Sequence, residues 1–168
     1  PPRESPAAVD LTLASMIAQV YDPEASMAEA IKALQRSELI KGQPSKRAVN
    51  EMRQRLIYAR NWVKMFAPEL ALRAVVEPDA AFLSKLTEPE KASLRELACI
   101  IKSNPGPGAI QSSAFSIADV HGVDASRLFQ ILYRLILGAD HGPRLGPLVC
   151  ALGPDRVAKL LEGALGPA

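Results

Sequence analysis

Apolar side chains in this sequence recur every three or four positions, and no stretch alternates as a half-buried strand would. That spacing leaves helices as the regular element the chain can build, and Pro or Gly marks the end of one such stretch after another. Pro23 disfavours helix at Asp22, which closes a helix predicted over 8–20. A second is predicted over 24–37, with Met27, Ile31 and Leu34 on one face. Gly42 then ends the helical run, and Ser45 or Pro44 opens the longest helix, 45–66. Thr87 stands three residues before Glu90 in "LTEPEKASLRELA", a capping box that predicts a helix over 88–103. A short helix near 79–85 precedes it, and helices over 108–120, 124–137, 143–151 and 154–163 follow. The expected fold is all-α, eight to nine helices in two packed subdomains, 1–77 and 78–168, joined through "APELALRAVVEPDA".

A chain of 168 residues can bury a real core. Its apolar runs are broken by charge or Gly within about a dozen residues, too short for a membrane span. No membrane partner is expected. The opening "PPRESPAAVD" has neither Met nor the basic and apolar regions of a leader peptide, and is expected to be either an artificial boundary or an internal cut. Cys99 and Cys150 lie far apart in apolar helical patterns, without Cys-x-x-Cys or a neighbouring His. They are expected to be buried reduced thiols, which points to the cytoplasm.

The net charge of +2 conceals a local excess: residues 41–64 hold seven bases against one acid, Glu51. At 100° per residue, Lys46, Arg53, Arg60 and Lys64 fall on one stripe, opposite an apolar arc of Val49, Met52, Leu56, Ala59, Val63 and Phe66. Tyr58 and Trp62 border that arc and are expected to pack there. A one-signed stripe repels itself, and a polyanion such as nucleic acid relieves the repulsion. The helix over 124–137 repeats the design with Arg127, Gln130 and Arg134 on one side of Leu128, Ile131, Leu132 and Leu135, and Tyr133 at the flank.

Between "LFQILYRLIL" and "PLVCAL" lies the corner "GADHGPRLGP". Gly138 suits the left-handed end of one helix, and Pro143 suits the first turn of the next. Arg144 stands beside that helix's unpaired N–H groups, where an anion is favoured. His121 and His141 read as turn residues, 20 positions apart without ligand spacing, and no metal site is expected. Gly-rich phosphate loops, Gly-x-Ser-x-Gly and His-Glu-x-x-His are missing, so enzyme activity of this chain alone is not expected.

Taken together, "RQRLIYARNWVKMFAPE", "LTEPEKASLRELA" and "RLFQILYRLILGADHGPRLGPLVCALG" resemble the C-terminal, helical anticodon-binding region of class I lysyl-tRNA synthetases. The likeness runs from about 45 to 163 and is sharpest at Leu-Tyr-Arg followed by Gly-Pro-Arg-x-Gly. It implies a helical cage that holds the anticodon stem-loop of tRNA(Lys), downstream of a Rossmann-type domain that activates lysine with ATP. Neither class I nucleotide signature occurs here, so no cofactor is expected in this chain. The place of the basic stripe opposite the core, together with the match of the corner to the family motif, predicts RNA contacts from Lys46, Arg53, Arg60 and Lys64 to phosphates, and from Arg127, Arg134 and Arg144 nearer the bases; with the corner facing the anticodon loop, Gly142 and Gly146 would let a ligand's backbone come close. "SNPGPGAIQSSAFS" is richer in Pro, Gly and Ser than the family pattern, and Pro147-Leu148 stands where an aromatic is common. A different reading of the same bases is a free-standing helical module that docks an acidic protein.

Overall fold

The computed structural model describes residues 11–68 and 79–166, and among these it contains nine α-helices and no strand. They fall into two compact units, Pro1–Leu72 and Arg73–Ala168. The expected joint at 77/78 lies in 69–78, outside the described residues, as does the predicted start of the first helix at 8–10.

In the first unit, α1 (Leu11–Val20) packs on α3 (Lys46–Phe66) and on α2 (Met27–Arg36). Met16, Ile17, Leu34, Leu56, Ala59 and Val63 form its buried centre. Ser45 opens α3 by accepting a hydrogen bond from the Ala48 N–H at 3.2 Å, which satisfies one of the unpaired donors of the first turn. The apolar arc of α3 is narrower than its spacing predicts. Phe66 belongs to that arc on the helical wheel, yet in the structure it is exposed, whereas Leu56, Ala59 and Val63 are buried.

The second unit begins with one turn, α4 (Ala80–Leu83), and α5 (Glu88–Lys102). The capping box is present in full: the Glu90 N–H donates to Thr87 Oγ1, and the Thr87 N–H donates to Glu90 Oε2 at 2.7 Å. Next come α6 (Pro107–Val120), α7 (Ala125–Leu137), α8 (Leu145–Leu152) and α9 (Pro154–Leu165). α5 packs on α9 and α6, while α6 packs on α7 and α8. α7 is buried nearly all round by Leu128, Ile131, Leu132, Tyr133, Leu135, Ile136 and Leu137. Its polar strip is Arg127, Gln130 and Arg134, at i, i+3 and i+7.

Two expectations are corrected here. Cys99 is exposed, because it sits off the α5 face made by Leu94, Leu97, Ala98 and Ile101; Cys150 is buried as expected. Pro143 does not begin α8. The helix starts at Leu145 with Arg144 as its N-cap residue, and Pro147 occupies the first turn, where a missing N–H costs nothing.

Candidate nucleic-acid interface

The stripe predicted on α3 divides into free and engaged bases. Lys46 and Lys64 project into solvent, and among the described residues neither has a hydrogen bond or ion pair. Arg55, which the stripe did not include, is equally exposed and unpaired. Arg53 is half-buried, and its Nε is enclosed without a hydrogen-bond partner among the described residues.

Arg60 departs most from its expected place. Its side chain is only 16 % exposed, and its guanidinium donates to Asp22 Oδ1 at 3.0 Å and Glu24 Oε2 at 2.5 Å. The connection between α1 and α2 crosses α3 at this point, so Arg60 braces that turn to the helix rather than facing outward. The Glu24 N–H also donates to Asp22 Oδ1 at 2.9 Å. That backbone bond lowers the Asp22 pKa; burial opposes it, and Arg60 adds to the lowering. The hydrogen bond that Arg60 donates to Glu24 in turn raises the Arg60 pKa.

In the second unit the polar strip of α7 is tied to its neighbours. Arg127 Nε donates to Glu90 Oε1 at 2.9 Å, and Nη1 donates to Gln130 Oε1 at 3.2 Å. Glu90 is buried; burial pushes its carboxyl pKa up, but the Thr87 N–H and the Arg127 guanidinium outweigh this and hold it below the ordinary glutamate value. Arg134 Nε pairs with Asp140. Both guanidinium groups lie over the ring of Phe82, at 5.9 Å for Arg127 and 5.1 Å for Arg134, within cation–π range. α7 and the corner after it thus share one surface with Phe82, a residue that sequence reasoning missed because Phe82 lies more than forty positions from either arginine.

The corner is a built structure. Gly138 takes the left-handed conformation (φ 69°), and its N–H donates to Arg134 O at 3.0 Å. The Tyr133 hydroxyl donates to Pro143 O at 2.5 Å, and burial raises the pKa of that phenol. The Gly146 N–H donates to Gln111 Oε1 at 3.2 Å. The two other glycines were expected to admit a ligand's backbone, and the structure corrects this. A Cβ on Gly142 would meet Tyr133 and Leu137 at 2.8 Å, and one on Gly146 would meet Pro107 O at 1.9 Å. Both glycines serve internal packing. Arg144 stands beyond them, exposed, making no cap bond and no ion pair among the described residues.

Of the seven predicted bases, the structure gathers Arg127 and Arg134 on one strip of α7 and leaves Arg144 on the adjoining corner. Lys46 and Lys64 keep the outward position predicted for them; Arg60 does not. Among the described residues no cluster of His, Cys, Asp and Glu could hold a metal ion, and no helix is long and apolar enough to cross a membrane.

No family model matches the chain. Against known proteins it is 30 % identical over 173 residues to the lysine–tRNA ligase of Methanopyrus kandleri, covering 98 % of this chain and 31 % of that one. It is 31 % identical over 115 residues to the lysine–tRNA ligase of Archaeoglobus fulgidus, covering 68 % and 23 %. With the lysine–tRNA ligase of Thermoplasma acidophilum it shares 27 % over 161 residues, covering 95 % and 30 %. The chain spans about a quarter to a third of the length of these curated relatives. Its relatives are thus aminoacyl-tRNA ligases. Within them, the chain belongs to the lysine–tRNA ligases of class I, as their C-terminal region.

Proposed function

We propose that this chain is the tRNA-holding part of a class I lysine–tRNA ligase. In this reading it grips the anticodon stem-loop of tRNA(Lys), while an upstream nucleotide-binding domain activates lysine with ATP. The observation that carries it is Arg144. Its backbone is set by the Tyr133–Pro143 hydrogen bond and the packing of Gly146, yet its guanidinium is unpaired at the start of α8. A guanidinium free of other partners can make two parallel hydrogen bonds to a phosphate or a base edge, and the helix N-terminus adds a field that favours an anion there. Lys46 and Lys64 supply sequence-independent attraction to phosphates. Arg127 and Arg134 present planar groups already backed by Phe82, suited to stacking on splayed bases. Arg60 is left out of the contact set, because its side chain is only 16 % exposed and its guanidinium is taken up by two carboxylates, Asp22 and Glu24.

The test is binding of tRNA(Lys) and unrelated tRNAs across a salt titration. Lys64→Ala should lower the salt slope by about one and weaken all tRNAs alike, and Arg144→Ala should cost roughly 1–3 kcal/mol, mostly for tRNA(Lys). Arg60→Ala should leave the slope unchanged. If the folded Lys64→Ala and Arg144→Ala variants both bind like the parent, the reading is wrong, and an acidic protein partner explains the basic face better. Lysine-dependent ATP–pyrophosphate exchange by this chain alone should stay at background.

A further inference from the structure

Three aromatic rings on α3 stand in solvent: Tyr58 is 73 % exposed, Trp62 41 % and Phe66 68 %. At i, i+4 and i+8 they form one row, each step advancing about 6 Å along the helix axis. The Trp62 and Phe66 rings are 6.4 Å apart and inclined by 37°. The row lies beside the buried face of α3, which is Leu56, Ala59 and Val63. Arg55 stands at its N-terminal end, and the exposed amides Gln54 and Asn61 separate it from the line of Lys46 and Lys64. The one acid of the helix, Glu51, is engaged by Arg47 Nε at 3.0 Å. An apolar row with one unpaired guanidinium, Arg55, on the same face and no free carboxylate on the helix matches a ligand with flat faces and a negative backbone.

We infer that Tyr58, Trp62 and Phe66 form a stacking surface for unpaired bases of RNA, with Arg55 holding a phosphate beside Tyr58. This rests on the RNA-binding reading above and adds to it a second contact surface, in the first unit. Stacking of successive bases on exposed rings is sequence-tolerant, so the surface contributes affinity rather than choice of tRNA.

Trp62 is the only tryptophan of the chain, so its emission reports on the row directly. The full chain is titrated with a short, unstructured, adenosine-rich RNA carrying a fluorescent label, and with a duplex of the same strand. Label anisotropy reads binding, and Trp62 emission reads stacking. The expected result is a Trp62 accessible to acrylamide and quenched by the single strand but not by the duplex. Tyr58→Ala with Phe66→Ala should weaken single-strand binding about five- to a hundredfold while leaving the salt slope unchanged, because no phosphate contact is lost. Circular dichroism checks that the variant is folded. Single-strand binding without quenching, equal quenching by the duplex, or a folded variant that binds like the parent would overturn the stacking surface and leave the RNA-binding reading standing. A Trp62 shielded from acrylamide in the protein alone would overturn it too, since the row would then be covered by protein. If neither RNA binds at low salt, both the stacking surface and the reading beneath it are wrong.

Discussion

Replacing Gly146 with Ala tests the claim that the corner glycine serves packing rather than ligand access. A Cβ there would sit 1.9 Å from Pro107 O, a separation that real Cβ atoms do not adopt, so α8 and the start of α6 must part until the distance reaches about 3 Å. The obstacle is backbone, not the end of a flexible side chain, so no rotamer change relieves it. Three contributions decide the outcome. Forcing a methyl into a packed interface costs about 1–3 kcal/mol, and a displacement above 1 Å belongs at the upper end. The Gly146–Gln111 hydrogen bond, already 3.2 Å, would stretch out of range and remove about 1 kcal/mol. Against these, Ala in place of Gly gains up to about 1 kcal/mol of helix propensity. The net expectation is a loss of about 2–3 kcal/mol. With a urea m-value of about 1–3 kcal/mol/M, the unfolding midpoint of the second unit should fall by about 1–2 M. The measurement is urea denaturation followed by circular dichroism at the helical band. Gly163→Ala is the matched control: it lies within α9 with nothing near its virtual Cβ, and should be neutral or stabilising by up to about 1 kcal/mol. A Gly146→Ala variant as stable as the parent would refute the tight approach of α8 to Pro107, and with it the assignment of this glycine to packing.

Glu90 gives a pH prediction. Its folded-state pKa is held below the ordinary value of 4.5, so it contributes stability above that value and the contribution is lost as the pH falls through the folded pKa; acid unfolding of Glu90→Gln should show a shallower loss below about pH 4.5 than the parent. For Arg60, thermal unfolding of Arg60→Ala, Asp22→Asn and the double variant should give a non-additive cycle, the two single losses summing to more than the double, whereas strict additivity would mean that the brace is idle. Tyr133→Phe should destabilise the second unit by about 1–3 kcal/mol, since it leaves the Pro143 carbonyl without its hydroxyl donor; an unchanged unfolding midpoint would contradict the role given to that bond.

What the sequence determined by itself is local. Helix positions, the Ser45 and Thr87 caps, the left-handed Gly138 and the polar strip of α7 all follow from interactions within about four residues, where the backbone itself brings side chains together. The relation to lysine–tRNA ligases was legible for the same reason: a run such as "LYRLILGADHGPRLGPLVCALG" keeps its order whatever surrounds it. Only the tertiary structure decided which bases are free. Lys64 and Arg60 are nearly equivalent on the helical wheel, yet Arg60 meets carboxylates 38 and 36 residues away because the α1–α2 connection happens to cross there. Arg127 likewise meets Glu90 across 37 residues, and Gly146 meets Pro107 at a helix crossing that no spacing announces. Periodicity gives each helix an inside and an outside but does not say how far a neighbour covers it, and so Phe66, apolar and on the predicted inner arc, ends in solvent beside Trp62.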